Sequence, residues 1–391
     1  MKDSISCPLC SCNHVQFLYE SRGSKIGLRI HICDNCEHVF ASRVSKAKKP
    51  LETVGVKIQN ISCDADYSEV RVGKQQMTDI DADRLLEFLS KNRNIKYEYI
   101  LDSCSARGHF LKKLTSYLPG SHISGIEPDA YMAESYKNDK RFNVFVGEVE
   151  DFSSAYKYDI IYSCHSLEHY SDPKKIFDFV INHLDEKGVF FINVPNLEFL
   201  DNYSGMDEYF YDYHLQYFHL KTLNRLADMY GFRPLQVFSD SSLGVLYTRN
   251  ASSNQVEMNL SSNFNPYATI KNYISRINYN QEVVFSAAEN IKKIVEEVKH
   301  NIVFFGAGRV LDFFVKYGGL DLQSEKIILV DNFLSNGTDS LYGKKLIPFD
   351  KLDPSTVETW IVFSNTSSET ITNLITSKSK SPMYNAIDLI K

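Results

Sequence analysis

Cys7, Cys10, Cys33 and Cys36 form two Cys-x-x-Cys pairs within "CPLCSCNHVQFLYESRGSKIGLRIHICDNC" (7–36), separated by 22 residues. Each pair suits a tight knuckle that aims two thiolates at one point, and two knuckles complete a tetrahedral zinc–sulfur site. A closed four-ligand site leaves no open position for substrate, so the zinc predicted by this spacing is structural. Cys12, His14, His31 and His38 lie close enough along the chain to replace one of the four.

A second set of residues is acidic. Asp102 closes the apolar run "YEYILD" (97–102), Glu127 and Pro128 close "HISGIEP" (122–128), and Glu148 lies in "NVFVGEVE" (143–150). "YDIIYSCHS" (158–166) then runs into "CHSLEH" (164–169), which carries His165. As neighbouring strands of an open parallel sheet, these runs would direct their carboxyl ends at a ligand. A carboxylate accepts two hydrogen bonds side by side, so Glu127 is placed to take both hydroxyls of a ribose. Glu148 would accept from the exocyclic amine of a base, with the Val149 N–H facing a ring nitrogen. The loop that would cradle such a cofactor, "LDSCSARGHFLKK" (101–113), has one glycine where most have several.

These side chains need a sheet to hold them. Residues 80–240 alternate short apolar runs with stretches of helical spacing such as "DPKKIFDFVINHL" (172–184), the rhythm of βαβ units. "RNASSNQVEMNLSSNFNP" (249–266) reads as a polar connection, followed by a helix over about 270–298. "NIVFFGAGRVLDFFVKYGGL" (301–320), "KIILVDN" (326–332) and "ETWIVFSN" (358–365) repeat the βαβ logic. There Gly306 and Gly308 suit either a phosphate or a tight packing turn, and Asp331 suits a ribose hydroxyl. The expected chain is α/β. A zinc-ribbon module spans 1–66 and a Rossmann-like doubly wound core 67–248. A polar linker and helix follow over 249–300, then a smaller Rossmann-like domain over 301–391.

With 43% hydrophobic and 24% charged residues, the chain reads as an ordinary soluble globular protein. A net charge of −6 without a long Lys/Arg tract argues against a nucleic-acid partner, and "SKAKKP" (45–50) reads as a solvated loop. Apolar runs such as "GVFFINVP" (188–195) are too short for membrane insertion, and "MKDSIS" lacks the apolar core of a signal peptide. The expected compartment is the cytoplasm, where eight cysteines serve metal or packing rather than disulfides.

"YDIIYSCHSLEHYSDPKKIF" (158–177) resembles the signature after the fourth strand of class I S-adenosylmethionine (SAM) methyltransferases. "DSCSARGHFL" (102–111) is similar to the acidic-I-A-S-N-D-G-x-L-L loop of one branch, the sugar C-methyltransferases that act on carbon 3 of nucleotide-linked 4-keto-6-deoxysugars. Asp102, Ser105 and Gly108 match its acidic, serine and glycine positions, and Glu127-Pro128 repeats the G-I-E-P of that branch. Residues 193–232 resemble its long insertion carrying a Y-H-E-H motif. The family also begins with a four-cysteine zinc module and ends with a Rossmann-like domain opening on G-Y-G-A, where this chain has "GAGR" (306–309). The resemblance therefore covers nearly the whole chain. It implies SAM bound by Asp102, Ser105, Gly108, Glu127, Pro128, Glu148, Val149 and His165, and a nucleotide-linked sugar as acceptor. It also implies that His214 manages a proton, with Tyr211 and Asp212 beside it and Tyr67 near the sugar.

Two departures bear on activity. Tyr213 stands where the family has a glutamate, so His214 lacks its carboxylate partner unless Asp212 or an acid from another segment substitutes. Ala106 and Arg107 replace Asn and Asp, which brings a positive charge toward the cationic end of SAM. O-methylation of a sugar hydroxyl and non-catalytic nucleotide-sugar binding are the alternative expectations. A nicotinamide site at "GAGR" is disfavoured by its incomplete glycine pattern.

Overall fold

The computed structural model describes residues 5–21, 24, 26–43, 77–93, 95–134, 136–203, 208–210, 212–250, 264–336, 339–364 and 367–390. They form two compact units, one holding the cysteine module and the central sheet, the other built mainly from Asn272–Lys391. Tyr67, Tyr211 and the basic stretch 45–50 lie outside the described residues. Among the described residues, no helix is long and apolar enough to cross a membrane.

In the first unit three antiparallel strands, β1 (Val15–Glu20), β2 (Leu28–Cys33) and β3 (Val39–Arg43), carry the cysteine pairs. The central sheet contains β4 (Tyr99–Asp102), β5 (His122–Glu127), β6 (Asn143–Val146), β7 (Tyr158–Cys164) and β8 (Leu184–Pro195), all parallel. A two-residue strand, β9 (Gln216–Tyr217), joins the cysteine module, while β10 (Arg233–Ser239) and β11 (Ser242–Thr248) form an antiparallel hairpin against β8. The resulting order is β10-β11-β8-β7-β4-β5-β6. From β4 the chain winds outward through β5 and β6, then crosses back to β7 and β8 on the other side. The winding reverses between β4 and β7, so the ligand crevice of such a sheet opens at their carboxyl ends.

The strands are apolar on both faces, as parallel strands covered by helices must be. Successive residues enter opposite cores: Ile100, Ile160 and Phe191 pack on one side, Leu101, Ile161 and Phe190 on the other. Helices α1 (Met77–Lys91) and α2 (His109–Tyr117) cover the first side, the latter through Phe110, Leu111 and Leu114 at helical spacing. After the short helix α3 (Ala130–Glu134), α4 (Lys174–His183) and α5 (Leu220–Asp228) cover the second side through Ile176, Phe177, Val180, Leu223 and Leu226. Cys7, Leu9, Cys33, Cys36 and Phe40 belong to this same second core. The described residues of the cysteine module and the central sheet thus share one hydrophobic interior.

The long helix α6 (Pro266–Glu297) leads into the second unit. Its sheet orders six strands as β14 (Ser340–Leu341), β15 (Lys344–Ile347), β13 (Ile327–Val330), β12 (Asn301–Phe305), β16 (Val357–Val362) and β17 (Met383–Asn385). Pairing is parallel except between β14 and β15, and helices α7 (Arg309–Lys316) and α8 (Ser368–Thr376) complete the expected smaller Rossmann-like domain. Gly306 adopts φ 96°, and a Cβ there would meet the Phe363 carbonyl oxygen at 2.7 Å, so a packing turn already requires this glycine. Asp331 accepts from the backbone N–H groups of Ala307, Phe333 and Leu334, each at 2.9 Å. Its carboxylate ties the turn together, which accounts for an acid at this strand end without a ribose.

Candidate active site

The loop after β4 keeps the shape of a cofactor loop by means other than glycine. Ala106 takes a left-handed φ of 46°, a conformation that costs an L-residue roughly 1–2 kcal/mol. Its N–H donates to Glu127 Oε2 at 2.6 Å, while Asp129 N–H donates to Oε1 at 2.9 Å. Two backbone donors on one carboxylate hold the loop against the end of β5. Ser105 contributes in the same way: its N–H and Oγ both donate to the Ile126 carbonyl, at 2.9 and 3.0 Å, and Oγ meets Tyr136 Oη at 2.8 Å. Ser105 therefore shapes the loop through its own hydrogen bonds. Gly108 sits at φ 71°, where a Cβ would strike the Tyr136 ring at 2.8 Å. The one retained glycine is the one that sterics require.

The acids gather as expected. Asp102 is buried and accepts from Cys104 N–H at 3.2 Å. Burial, with the Glu127 charge adding to it against the Cys104 hydrogen bond, pushes its carboxyl up to about 8. Glu127 is raised to about 7, chiefly by burial, although its two backbone donors oppose the shift. Glu148 is exposed at the end of its loop and precedes the buried Val149 on a short 3₁₀ turn, and Pro128 follows Glu127. The Cys104 thiol is driven well above its usual range by burial and by the charges of Glu127, Asp102, Glu168 and Glu148. Four carboxylates thus act on one point at the switch between β4 and β7. That is a fitting surround for a ligand with a sulfonium and an ammonium group, and each Glu127 oxygen keeps a second lone pair for a hydroxyl.

A pH dependence follows. A cation binds the ionised carboxyls, so SAM affinity is expected to rise with pH through about 7 and about 8, the folded-state values of Glu127 and Asp102. The slope limit is about tenfold per pH unit for each proton released. Calorimetry in buffers of different ionisation heat measures that release directly. S-adenosylhomocysteine, which lacks the sulfonium charge, should show a weaker slope; a flat SAM profile contradicts the electrostatic account.

A second cluster forms around Glu168, on the 3₁₀ turn Leu167–His169 that follows β7. Its Oε1 lies 3.3 Å from His165 Nδ1, 3.7 Å from His214 Nε2 and 4.0 Å from His169 Nε2. Burial would raise this carboxyl, yet the His165 hydrogen bond and the three imidazoles outweigh it and hold Glu168 down to about 2. His214 moves the other way: burial outweighs the Glu168 charge and depresses it to about 3, so it is neutral near pH 7. His165 turns onto Glu168 and has a left-handed φ of 46°, so it belongs to this cluster more than to the cofactor loop. Asp212 accepts from the Ser24 hydroxyl of the cysteine module. The acid facing His214 is Glu168, from the "CHSLEH" turn. Its signal was a His-x-x-Glu-His spacing that one helical turn closes.

The four cysteine sulfurs converge as their spacing predicts, all within 4.8 Å of one another. Cys7 and Cys36 Sγ are 3.6 Å apart, Cys10 and Cys33 Sγ 3.5 Å. The edge of a zinc–sulfur tetrahedron with bonds of about 2.3 Å is about 3.8 Å, so the set fits zinc. Three of the nearby substitutes are occupied elsewhere: Cys12 with the His14 backbone, His31 with Ser42 Oγ, His38 with Gln216 Oε1.

Residues 75–237 match the family model of a methyltransferase domain. No curated protein matches the chain. Among solved structures, a SAM-dependent methyltransferase from Clostridium acetobutylicum is 15% identical over 46% of this chain and 94% of its own, with a TM-score of 0.38. The PH0226 protein from Pyrococcus horikoshii is 18% identical over 45% of this chain and 93% of its own, with a TM-score of 0.39. With the sheet order, the carboxylate-lined crevice and the family match on one segment, the central segment is a methyltransferase domain, and the chain is a SAM-dependent methyltransferase.

Proposed function

We propose that this enzyme methylates a nucleotide-linked sugar, or a sugar of a surface polysaccharide, at a carbon beside a ketone, with His214 managing the proton. The observation that carries the reading is a neutral, buried imidazole facing a buried carboxylate on the turn after β7, the strand that pairs with β4. SAM supplies the electrophilic methyl group. His214 takes the proton from the acceptor carbon, the electron pair left behind spreads onto the ketone oxygen, and the enolate carbon bonds the methyl carbon as the methyl–sulfur bond breaks and its electron pair leaves with S-adenosylhomocysteine. The chain's remaining contribution is proximity and the exclusion of water. Asp102, Glu127, Glu148 and Val149 would hold the cofactor, and Cys7, Cys10, Cys33 and Cys36 a structural zinc.

A second reading has its own support. Burial leaves His214 a weak base, at about 3, which suits a sugar hydroxyl better than a carbon acid. Calorimetric titration with SAM and with S-adenosylhomocysteine tests the cofactor site first, and micromolar binding is expected. Carbon NMR of the methylated product then separates the readings, because C-methyl and O-methyl carbons differ widely in shift. An O-methyl product would overturn the carbon-acid mechanism and leave the sugar assignment standing.

A further inference from the structure

Among the described residues, Glu168 is 1% exposed, its ion-pair partners are all histidines, and Oε2 is buried without a hydrogen-bond partner. A buried carboxylate is retained at such a cost only where something needs its charge. The backbone fixes which imidazole it serves. Leu215 N–H donates to the Glu168 carbonyl at 2.7 Å, clamping the His214 segment to the turn after β7. His169 Nδ1 meets the Tyr213 carbonyl at 2.9 Å, and a carbonyl only accepts, so that nitrogen carries the proton. The residue standing in the family's glutamate position therefore contributes through its backbone, which is indifferent to its side chain. The His169 ring then lies edge-on to His214, with centroids 5.0 Å apart.

We infer that Glu168 is the positioning carboxylate of His214, delivered by the turn after β7 in place of the acid that the Tyr213 segment lacks. An ionised carboxylate only accepts, so it favours the tautomer of His214 with the proton on Nε2 and the lone pair on Nδ1. The 3.7 Å separation is long for a hydrogen bond and is of the kind that closes when substrate fills a site. The inference rests on His214 managing a proton, as proposed above. Among the described residues, the ionisable groups that act on this pair include His165 and His169 from the turn, with the Cys104 and Cys164 thiols beyond them.

The test uses the full chain and two variants, E168Q and the conservative E168D. Imidazole nitrogen NMR of histidine-labelled protein, with the signal assigned through H214Q, reads the tautomer and titration of His214 without any acceptor. A lower midpoint for His214 in E168Q, and a return toward the wild-type value in E168D, are expected. With a nucleoside-diphosphate 4-keto-6-deoxyhexose as acceptor, kcat should fall roughly 10- to 100-fold in E168Q at unchanged KM for SAM and sugar, with partial rescue in E168D. An unmoved His214 signal overturns the inference. So does a second equivalent of bound metal that E168Q loses, because Glu168 would then be a ligand. Wild-type protein that fails to turn over this acceptor sinks the substrate reading alone; the NMR titration still decides Glu168.

Discussion

His214→Ala is expected to lower methyl transfer by about 10²–10⁴-fold, the usual worth of a positioned general base, while SAM affinity stays within about twofold. The separation follows from the topology. His214 lies just before β9, in the long segment between β8 and α5, whereas the cofactor loop is held by β4, β5 and α2. The contacts that shape that loop run from Ala106 to Glu127 and from Ser105 to Ile126 and Tyr136, none of them to His214. Truncating a buried imidazole also leaves a cavity, so His214→Gln, which keeps most of the volume, should show the same loss of turnover. Transfer of radiolabelled methyl and calorimetric SAM titration on both variants read the two quantities separately. Lost SAM binding would put His214 in the cofactor site; retained turnover would remove it from the chemistry.

Much of this arrangement was legible in the sequence, because it depends on local pattern. Short apolar runs ending in an acid predicted β4, β5 and the sheet's ligand edge, and two knuckles predicted four converging sulfurs. What could not be read there is geometry set by contacts distant in sequence. The loop has one glycine where most have several, yet a carboxylate 21 residues on holds Ala106 in the left-handed conformation. The missing glutamate at Tyr213 looked like a lost base partner, yet Glu168 faces His214 across 46 residues of chain. Each is compensated by an acid from another strand end, which pairwise spacing does not reveal. Ser105 and Asp331 show the converse: each matches a cofactor motif, and each also ties the chain to itself, Ser105 through the Ile126 carbonyl and Tyr136, Asp331 through three backbone N–H groups. A residue type at a motif position specifies what it can bond, and the fold decides what it does bond.

Removing the zinc proposed for the cysteine module should abolish turnover even though no sulfur lies in the His214 cluster. The coupling runs through backbone. β2 ends on Cys33, the second knuckle follows, and β3 leaves it to pair with β9 at Val39–Tyr217 and Phe40–Gln216. Ala41 N–H donates to the Leu215 carbonyl at 2.8 Å, and His38 Nε2 meets Gln216 Oε1 at 2.9 Å. Leu215 in turn donates to the Glu168 carbonyl at 2.7 Å, so the module and the turn after β7 grip opposite sides of the residue next to His214. A closed zinc–sulfur site contributes its binding energy as folding energy, about 10–16 kcal/mol in isolated zinc-binding peptides. Without it, the two knuckles lose the bonds that tie all four sulfurs to one point. Cys33→Ser or a strong chelator should therefore release β3, loosen the register of β9 and take His214 away from Glu168. The cofactor loop, fixed by β4, β5 and Tyr136, should still bind SAM. One equivalent of zinc by elemental analysis, loss of turnover on its removal, recovery on its return and SAM affinity nearly constant throughout are the expected results. Full activity in zinc-free protein would mean that the module's apolar core alone sets β9, and that the metal is dispensable to the site.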